Sequence, residues 1–140
     1  MLIRQAEISD AVSISRLLSQ LGYPGIDEKL AAEKIRAHTA VSYHLLVAEI
    51  DHKVVGFIAL HWFELMHWEG KMGRMTAFCV DENFRSQGVG KQLLIASEEF
   101  FKSKGCVKFE VSSNARRTRT HGFYLNHGYT EDSRRFVKYK

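Results

Sequence analysis

Two glycines one residue apart, with an arginine on one side and a lysine on the other, are the densest piece of binding chemistry in this chain: Arg85-Ser86-Gln87-Gly88-Val89-Gly90-Lys91. An apolar run ending at Val80 precedes them. A helical period follows, with Leu93, Ala96 and Phe100 on one stripe and Leu94, Ser97 and Phe101 beside it. Strand, glycine loop and helix in that order make an anion-binding arrangement. Glycine lets the backbone turn and a ligand approach closely, while the first amides of the helix have no internal partner and carry the positive end of its dipole. Arg85 and Lys91 add full charge at either side, so a phosphate-bearing ligand is the natural occupant.

What the loop lacks narrows the ligand. A nucleotide P-loop needs four residues between its glycines and a hydroxyl residue after its lysine, and here one residue separates them and Gln92 follows Lys91. A dinucleotide fingerprint needs a third glycine where Leu93 stands and an acid about 20 residues on. The segment instead resembles the Arg/Gln-x-x-Gly-x-Gly/Ala signature of the GNAT superfamily of N-acetyltransferases, where it wraps the pyrophosphate of coenzyme A. Val80-Asp81-Glu82-Asn83-Phe84-Arg85 is similar to that family's passage from strand to loop. Phe109-Glu110-Val111-Ser112-Ser113-Asn114, followed by His121-Gly122-Phe123-Tyr124-Leu125-Asn126-His127-Gly128-Tyr129, resembles the family's second half: a strand, an Asn, then Phe/Tyr-Tyr-x-x-x-Gly-Phe/Tyr.

The resemblance implies an α/β (α+β) GNAT fold, with a mixed, mostly antiparallel central sheet of six to seven strands flanked by about four helices, in one domain over residues 1–140. It implies direct movement of the acetyl group of acetyl-CoA to a primary amine of a small-molecule or peptide acceptor. A non-catalytic acyl-CoA-binding sensor or partner module is the alternative. By the same resemblance, the backbone of Phe78, Cys79 and Val80 lies along the pantetheine arm. Arg85, Ser86, Gln87, Gly88, Val89, Gly90 and Lys91 hold the pyrophosphate. Asn114 meets the pantetheine arm, or else caps a helix. Tyr124 donates the proton to the leaving thiolate; a phenol near pKa 10 and a thiol near 8.5 make that transfer feasible. Direct transfer leaves no covalent role for Cys79. The first two helices and their connection form the family's acceptor side, which makes Leu21, Tyr23 and Ile26 candidate substrate-wall residues, with core packing as the other reading. The general base departs from the family pattern, since Thr76 and Ala77 stand where a glutamate is common. Glu64, His67 and Glu69 in the preceding loop and Glu110 on the following strand are candidates with water as relay, and an amine of low pKa needs no dedicated base.

The elements that must position these residues read as follows. Residues 2–7 alternate weakly as a first strand. Ala11, Ile14, Leu18 and Leu21 predict a helix over residues 10–21, capped by Ser9 or Asp10 and stopped by Gly22. Tyr23-Pro24-Gly25 is a turn. Asp27 caps a second helix to about Ala40 that buries Leu30, Ala31 and Ile35. A hairpin joins strands 43–50 and 54–63 through Asp51-His52-Lys53, and strand 71–80 leads to the glycine loop. The long helix ends at Gly105, a strand covers 107–111, and a short helix over 117–127 is closed by Gly128. Two short strands around Glu131-Asp132-Ser133 complete the chain.

At 140 residues, 45% hydrophobic and 26% charged, the chain has the make-up of one soluble globular domain. The net charge of +4 is uneven: residues 1–70 carry −3 and residues 71–140 carry +7. A basic half suits a multiply phosphorylated cofactor. Its basic residues are scattered rather than lined along one helix, which argues against nucleic acid. The seven histidines show no His-x-x-x-His pairing, and Cys79 and Cys106 have no partner spacing for zinc. We therefore expect no metal and reduced core thiols. No apolar run reaches membrane-spanning length and acids interrupt the opening residues at once, so the expected location is the cytoplasm, with no membrane partner. A homodimer is compatible with all of this.

Overall fold

The computed structural model describes residues 1–112, 118–132 and 135–140. In chain order the elements are β1 (Leu2–Gln5), α1 (Ala11–Leu21), α2 (Glu28–Ala37), β2 (Tyr43–Ile50), β3 (Lys53–Glu64), β4 (Lys71–Val80), α3 (Val89–Ser103), β5 (Cys106–Val111) and α4 (Thr118–Asn126). Short 3₁₀ turns sit at Ile8–Asp10 and Glu82–Phe84.

The five strands lie in the order in which the chain makes them. β1 to β4 are antiparallel neighbours, and β5 runs parallel to β4. Both facts follow from the connections. Asp51 and His52 have φ of 49° and 63°, the pair of left-handed residues that a two-residue hairpin needs to match the strand twist. A parallel neighbour needs a long crossover, and α3 supplies it.

Alternation along the strands divides the core in two. Leu45, Val47, Phe57 and Ala59 face Ile14 and Leu17 of α1 and Ala31 and Ile35 of α2. Leu46, Ala48, Ile58 and Leu60 face Leu93, Leu94 and Phe101 of α3. Leu17, Leu93 and Phe101 are fully buried, and each contributes roughly 1.5–3 kcal/mol by leaving water. Gly73 makes room for Phe101: a Cβ there would stand 2.5 Å from its ring.

Two irregularities shape the end of β4. Ala59 faces Ala77 and Leu60 faces Met75, which leaves Thr76 as an extra residue in a bulge. Pairing with β5 stops at Met75 opposite Val111, whereas pairing with β3 continues to Val80 opposite Gly56. From Thr76 to Val80 one backbone edge of β4 therefore has no strand beside it among the described residues.

The expectation of six to seven strands is corrected to five among the described residues. The described residues from Tyr129 onward form no strand, and Phe136 and Tyr139 are 93% and 89% exposed. A strand is stabilised by a neighbour's ladder and a buried face, and these side chains bury almost nothing. The turn placed at Ser133 lies outside the described residues. Two smaller expectations also change. Asp10 does not cap α1, since its carboxylate accepts from the Glu7 amide at 2.8 Å and from Arg4 at 2.8 and 2.9 Å. α2 ends at Ala37 rather than near Ala40, because the His38 ring and the Thr39 hydroxyl take up carbonyls of its last turn, and Leu30 is only half-buried.

Candidate active site

The loop between β4 and α3 begins on a buried carboxylate. Asp81 has no exposed surface, and its side chain accepts from the Asn83 amide at 3.0 Å and from Arg16 Nη1 at 2.5 Å. Burial alone would raise its pKa; the Asn83 amide and the Arg16 guanidinium outweigh it and hold the carboxyl below the usual range. Arg16 also donates to the Val54 carbonyl at 3.1 Å, the Asp81 amide donates to Val55 O at 2.8 Å, and the Glu82 amide donates to Gln20 Oε1 at 3.0 Å. The loop is thus tied to both β3 and α1 before it turns.

Ser86 and Gly88, with φ of 64° and 82°, then swing the chain into α3. The helix's first backbone bond runs from Gln92 N to Gly88 O at 3.0 Å, so the amides of Val89, Gly90 and Lys91 precede the first intrahelical donor. A Cβ added at Gly88 would meet nothing within 4 Å, whereas one at Gly90 would touch Phe123 at 3.5 Å and Phe78 and Val80 at 3.7 Å. Arg85, Ser86, Gln87 and Lys91 are exposed around this opening, and buried Val89 pins the first turn to the core. Open space at Gly88, main-chain donors and the exposed cations Arg85 and Lys91 fit a pyrophosphate.

On the other side of the sheet a cavity of about 390 Å³ runs between α1, α2, the sheet and α4. Leu18 and Leu21, Tyr23 and Ile26, Lys34 and His38, Thr76 to Phe78, Ser112 and Tyr124 all contribute to its wall. The fold therefore brings Leu21, Tyr23 and Ile26 to one space with Phe78 and Tyr124. Tyr124 sits among aromatic rings, with centroids 6.4 Å from Phe78, 5.6 Å from Phe123 and 6.0 Å from Tyr129. Tyr129 fastens this end of α4 to α3 by donating its hydroxyl to Glu98 at 2.7 Å, and burial together with that carboxylate pushes its phenol well above the usual value. Cys79 faces the α1 core, its thiol donating to Leu17 O at 3.3 Å.

Other candidates stand elsewhere. Glu64, His67 and Glu69 are exposed. Glu64 pairs with Lys71 at the start of β4, five residues and roughly 17 Å of strand from Thr76. Glu110 is ion-paired with Arg74. None of these four lines the cavity. Asn114 lies outside the described residues.

Sequence reading passed over Arg16 and Gln20, and Lys34 and His38. Each pair is spaced i, i+4 on one side of an otherwise apolar-faced helix, which is the signal that could have found them. Among the described residues no group of three or more His, Cys, Asp or Glu could hold a metal ion, and no helix is long and apolar enough to cross a membrane. Neither cysteine is in a disulfide.

Comparison with known proteins agrees with this geometry. The model of the acetyltransferase (GNAT) domain matches residues 41–131. The aminoalkylphosphonate N-acetyltransferase of Salmonella typhimurium is 30% identical over 137 residues, 97% of this chain and 89% of its own. The thialysine N-epsilon-acetyltransferase of Bos taurus is 29% identical over 125 residues, 79% and 73% of the two chains. An aminoglycoside N-acetyltransferase solved in complex with CoA superposes with a TM-score of 0.86 at 21% identity, covering 99% of this chain and 93% of that one. With the glycine loop and the open β4 edge both lying inside the matched segment, the chain belongs to the GNAT superfamily and is an acetyl-CoA-dependent N-acetyltransferase acting on an amine.

Proposed function

We propose that residues 1–140 act as one domain that moves acetyl directly to the primary amine of a small molecule seated in the 390 Å³ cavity. The observation that carries this reading is positional. Phe78 and Tyr124 line the cavity at the stretch where β4 has lost its β5 neighbour, and the same strand runs on into the glycine loop. Donor and acceptor sites thus share one segment, residues 76–80.

Acetyl-CoA supplies the acyl group as a thioester, so that a C–N bond forms as the C–S bond breaks. The chain's own residues do the rest. Residues 85–91 bind the pyrophosphate through main-chain amides, Arg85 and Lys91. The open backbone edge at Phe78, Cys79 and Val80 orients the pantetheine arm, and Asn114 is proposed to meet it. Leu21, Tyr23 and Ile26 exclude water from the acceptor. The Tyr124 hydroxyl gives its proton to the departing sulfur. No Asp or Glu is among the described residues lining the cavity, which supports a water molecule as the group that takes the proton from the amine. Two buried thiols suit a reducing compartment, and the cytoplasm is the proposed location.

Tyr124→Phe tests the mechanism, because it keeps the ring among its aromatic neighbours and deletes one hydroxyl. Thiol release at saturating substrates should fall by roughly 10²-fold, with acetyl-CoA binding near wild type. Undiminished turnover would remove Tyr124 from the mechanism and leave solvent as the proton source.

A further inference from the structure

We infer that the amine acceptor carries an anionic group at its far end, and that Lys34, with His38 beside it, recognises that group. The inference rests on the acceptor reading of the cavity and names the class of molecule that fits it.

The cavity wall is apolar except at a few places, and its charged chemistry is of one sign. Lys34 and His38 line it, and no described carboxylate does. Lys34 is exposed and takes part in no ion pair among the described residues. Its place in the last turn of α2 would by itself be favourable for any cation. Arg36, in that same turn, does not line the cavity, so the helix end does not require a lysine on this particular side. His38 is held in place: its Nδ1 lies 2.7 Å from Lys34 O, and its ring meets Tyr43 edge-on with centroids 5.5 Å apart. Because a carbonyl can only accept, Nδ1 carries the proton; in the neutral ring Nε2 is then an acceptor, so the donor that meets an anion here is the Lys34 ammonium.

Position separates this end from the reacting end. Tyr43 faces His61, which faces Arg74 across the sheet. Arg74 precedes Ala77 by three residues, about 10 Å of strand. Lys34 and His38 line the same cavity as Ala77, Phe78 and Tyr124, so an acceptor with its amine at the latter can present its other end to the Lys34 ammonium at the tip of its four-carbon stem. A polycationic acceptor would bring charge to a wall with a lysine and no acid to neutralise it. An aminophosphonate or amino acid brings the opposite charge to that lysine, in a space only partly open to solvent.

Matched two-carbon amines with different ends read this directly: 2-aminoethylphosphonate, β-alanine, ethanolamine and ethylenediamine, followed by thiol release. At least one anionic member should exceed ethanolamine in kcat/KM by roughly tenfold or more, the range of a charge-assisted hydrogen bond, and ethylenediamine should be the poorest. Which anion leads distinguishes phosphonate from carboxylate recognition. In Lys34→Met that ratio should fall toward one, chiefly through KM, and Lys34→Arg should retain most of it. Ethanolamine or ethylenediamine matching the anionic amines, or a ratio unmoved by Lys34→Met, overturns the inference while leaving N-acetyl transfer intact. Should none of the four release thiol, calorimetry with propylphosphonate, which has no amine and needs no turnover, decides it. Tighter binding to wild type than to Lys34→Met supports the inference, and equal or absent binding overturns it.

Discussion

The proposed donor loop and the proposed acceptor cavity are built in opposite ways. The loop is a run of consecutive residues, 81–91, whose proposed binding groups are main-chain amides set by Ser86 and Gly88 in the left-handed region. The cavity is a convergence of side chains from α1, α2, β4 and α4, with Leu18 and Tyr124 more than a hundred positions apart. A site of backbone tolerates most side chains, except where a Cβ would fill the ligand's path. A site of side chains changes its preference with any wall residue. One enzyme can therefore keep its donor while its acceptor changes. α1 is where the two meet: Leu18 and Leu21 face the cavity, while Arg16 and Gln20 hold the loop.

Arg16→Met should break that separation most severely, because a helix on the acceptor side would then disturb the donor site. Removing Arg16 leaves Asp81 buried without its cation, and we expect a loss of roughly 3 kcal/mol, the lower end for a broken buried pair because Arg16 is partly exposed. Urea unfolding at pH 7 measures it. The sign with pH follows from the depressed Asp81 pKa. Its contribution is fully present above the ordinary carboxylate range and is lost as pH falls through the lower native value. The gap between wild type and variant should accordingly narrow below about pH 4, and a gap that widens there would contradict the pairing. A raised KM for acetyl-CoA, with acceptor KM little changed, would show that the pair serves the loop.

Gly88→Trp sharpens the comparison from the donor side. The positive φ at Gly88 costs any other residue about 1–2 kcal/mol, and the side chain would project into the open space beside Arg85 and Lys91. Stabilisation by added coenzyme A, several degrees for wild type at 100-fold excess over Kd, should disappear while circular dichroism stays native. A normal thermal shift in that variant would mean the pyrophosphate is held elsewhere.

Gly90→Ala carries the smallest expected effect. Its Cβ would meet Phe123, Phe78 and Val80 at ordinary contact distances, and alanine is the better helix former. Stability should change by less than about 0.5 kcal/mol, and the coenzyme A shift should persist. The two glycines thus differ, one needed for a path and the other only for a close fit. A large loss at Gly90 would show that the loop depends on closer packing than the 3.5 Å contact with Phe123 suggests.

The conformation of the proposed donor loop was legible in the sequence for the reason that makes it backbone-built. Glycine, charge and helical period lie side by side in residues 85–101, and local chemistry sets local conformation. The hairpin at Asp51 and His52, β4 from Lys71 to Val80 and the stop of α1 at Gly22 were legible in the same way. The final strands were not. Alternation marks which residues could line a sheet, but pairing depends on an edge that another part of the chain must offer, and Phe136 and Tyr139 find none in this structure. Glu64, His67 and Glu69 stood out in sequence as base candidates; the sheet ends Glu64 opposite Lys71, roughly 17 Å of strand from Thr76.

What the sequence determined by itself, then, was the order of elements from β1 to α4, the turn into α3 at the glycines and the family the chain belongs to, all of which follow from local residue types and spacing. The tertiary structure alone decided the rest. It set Arg16 against Asp81 across 65 residues, ended β5 opposite Met75 so that the edge of β4 beyond it has no strand beside it among the described residues, and turned Lys34 and His38 into a cavity lined by no described carboxylate. Those outcomes depend on how helices pack on two faces of a sheet, where burial of apolar surface selects the arrangement and polar side chains are carried to positions that their sequence neighbours do not foretell.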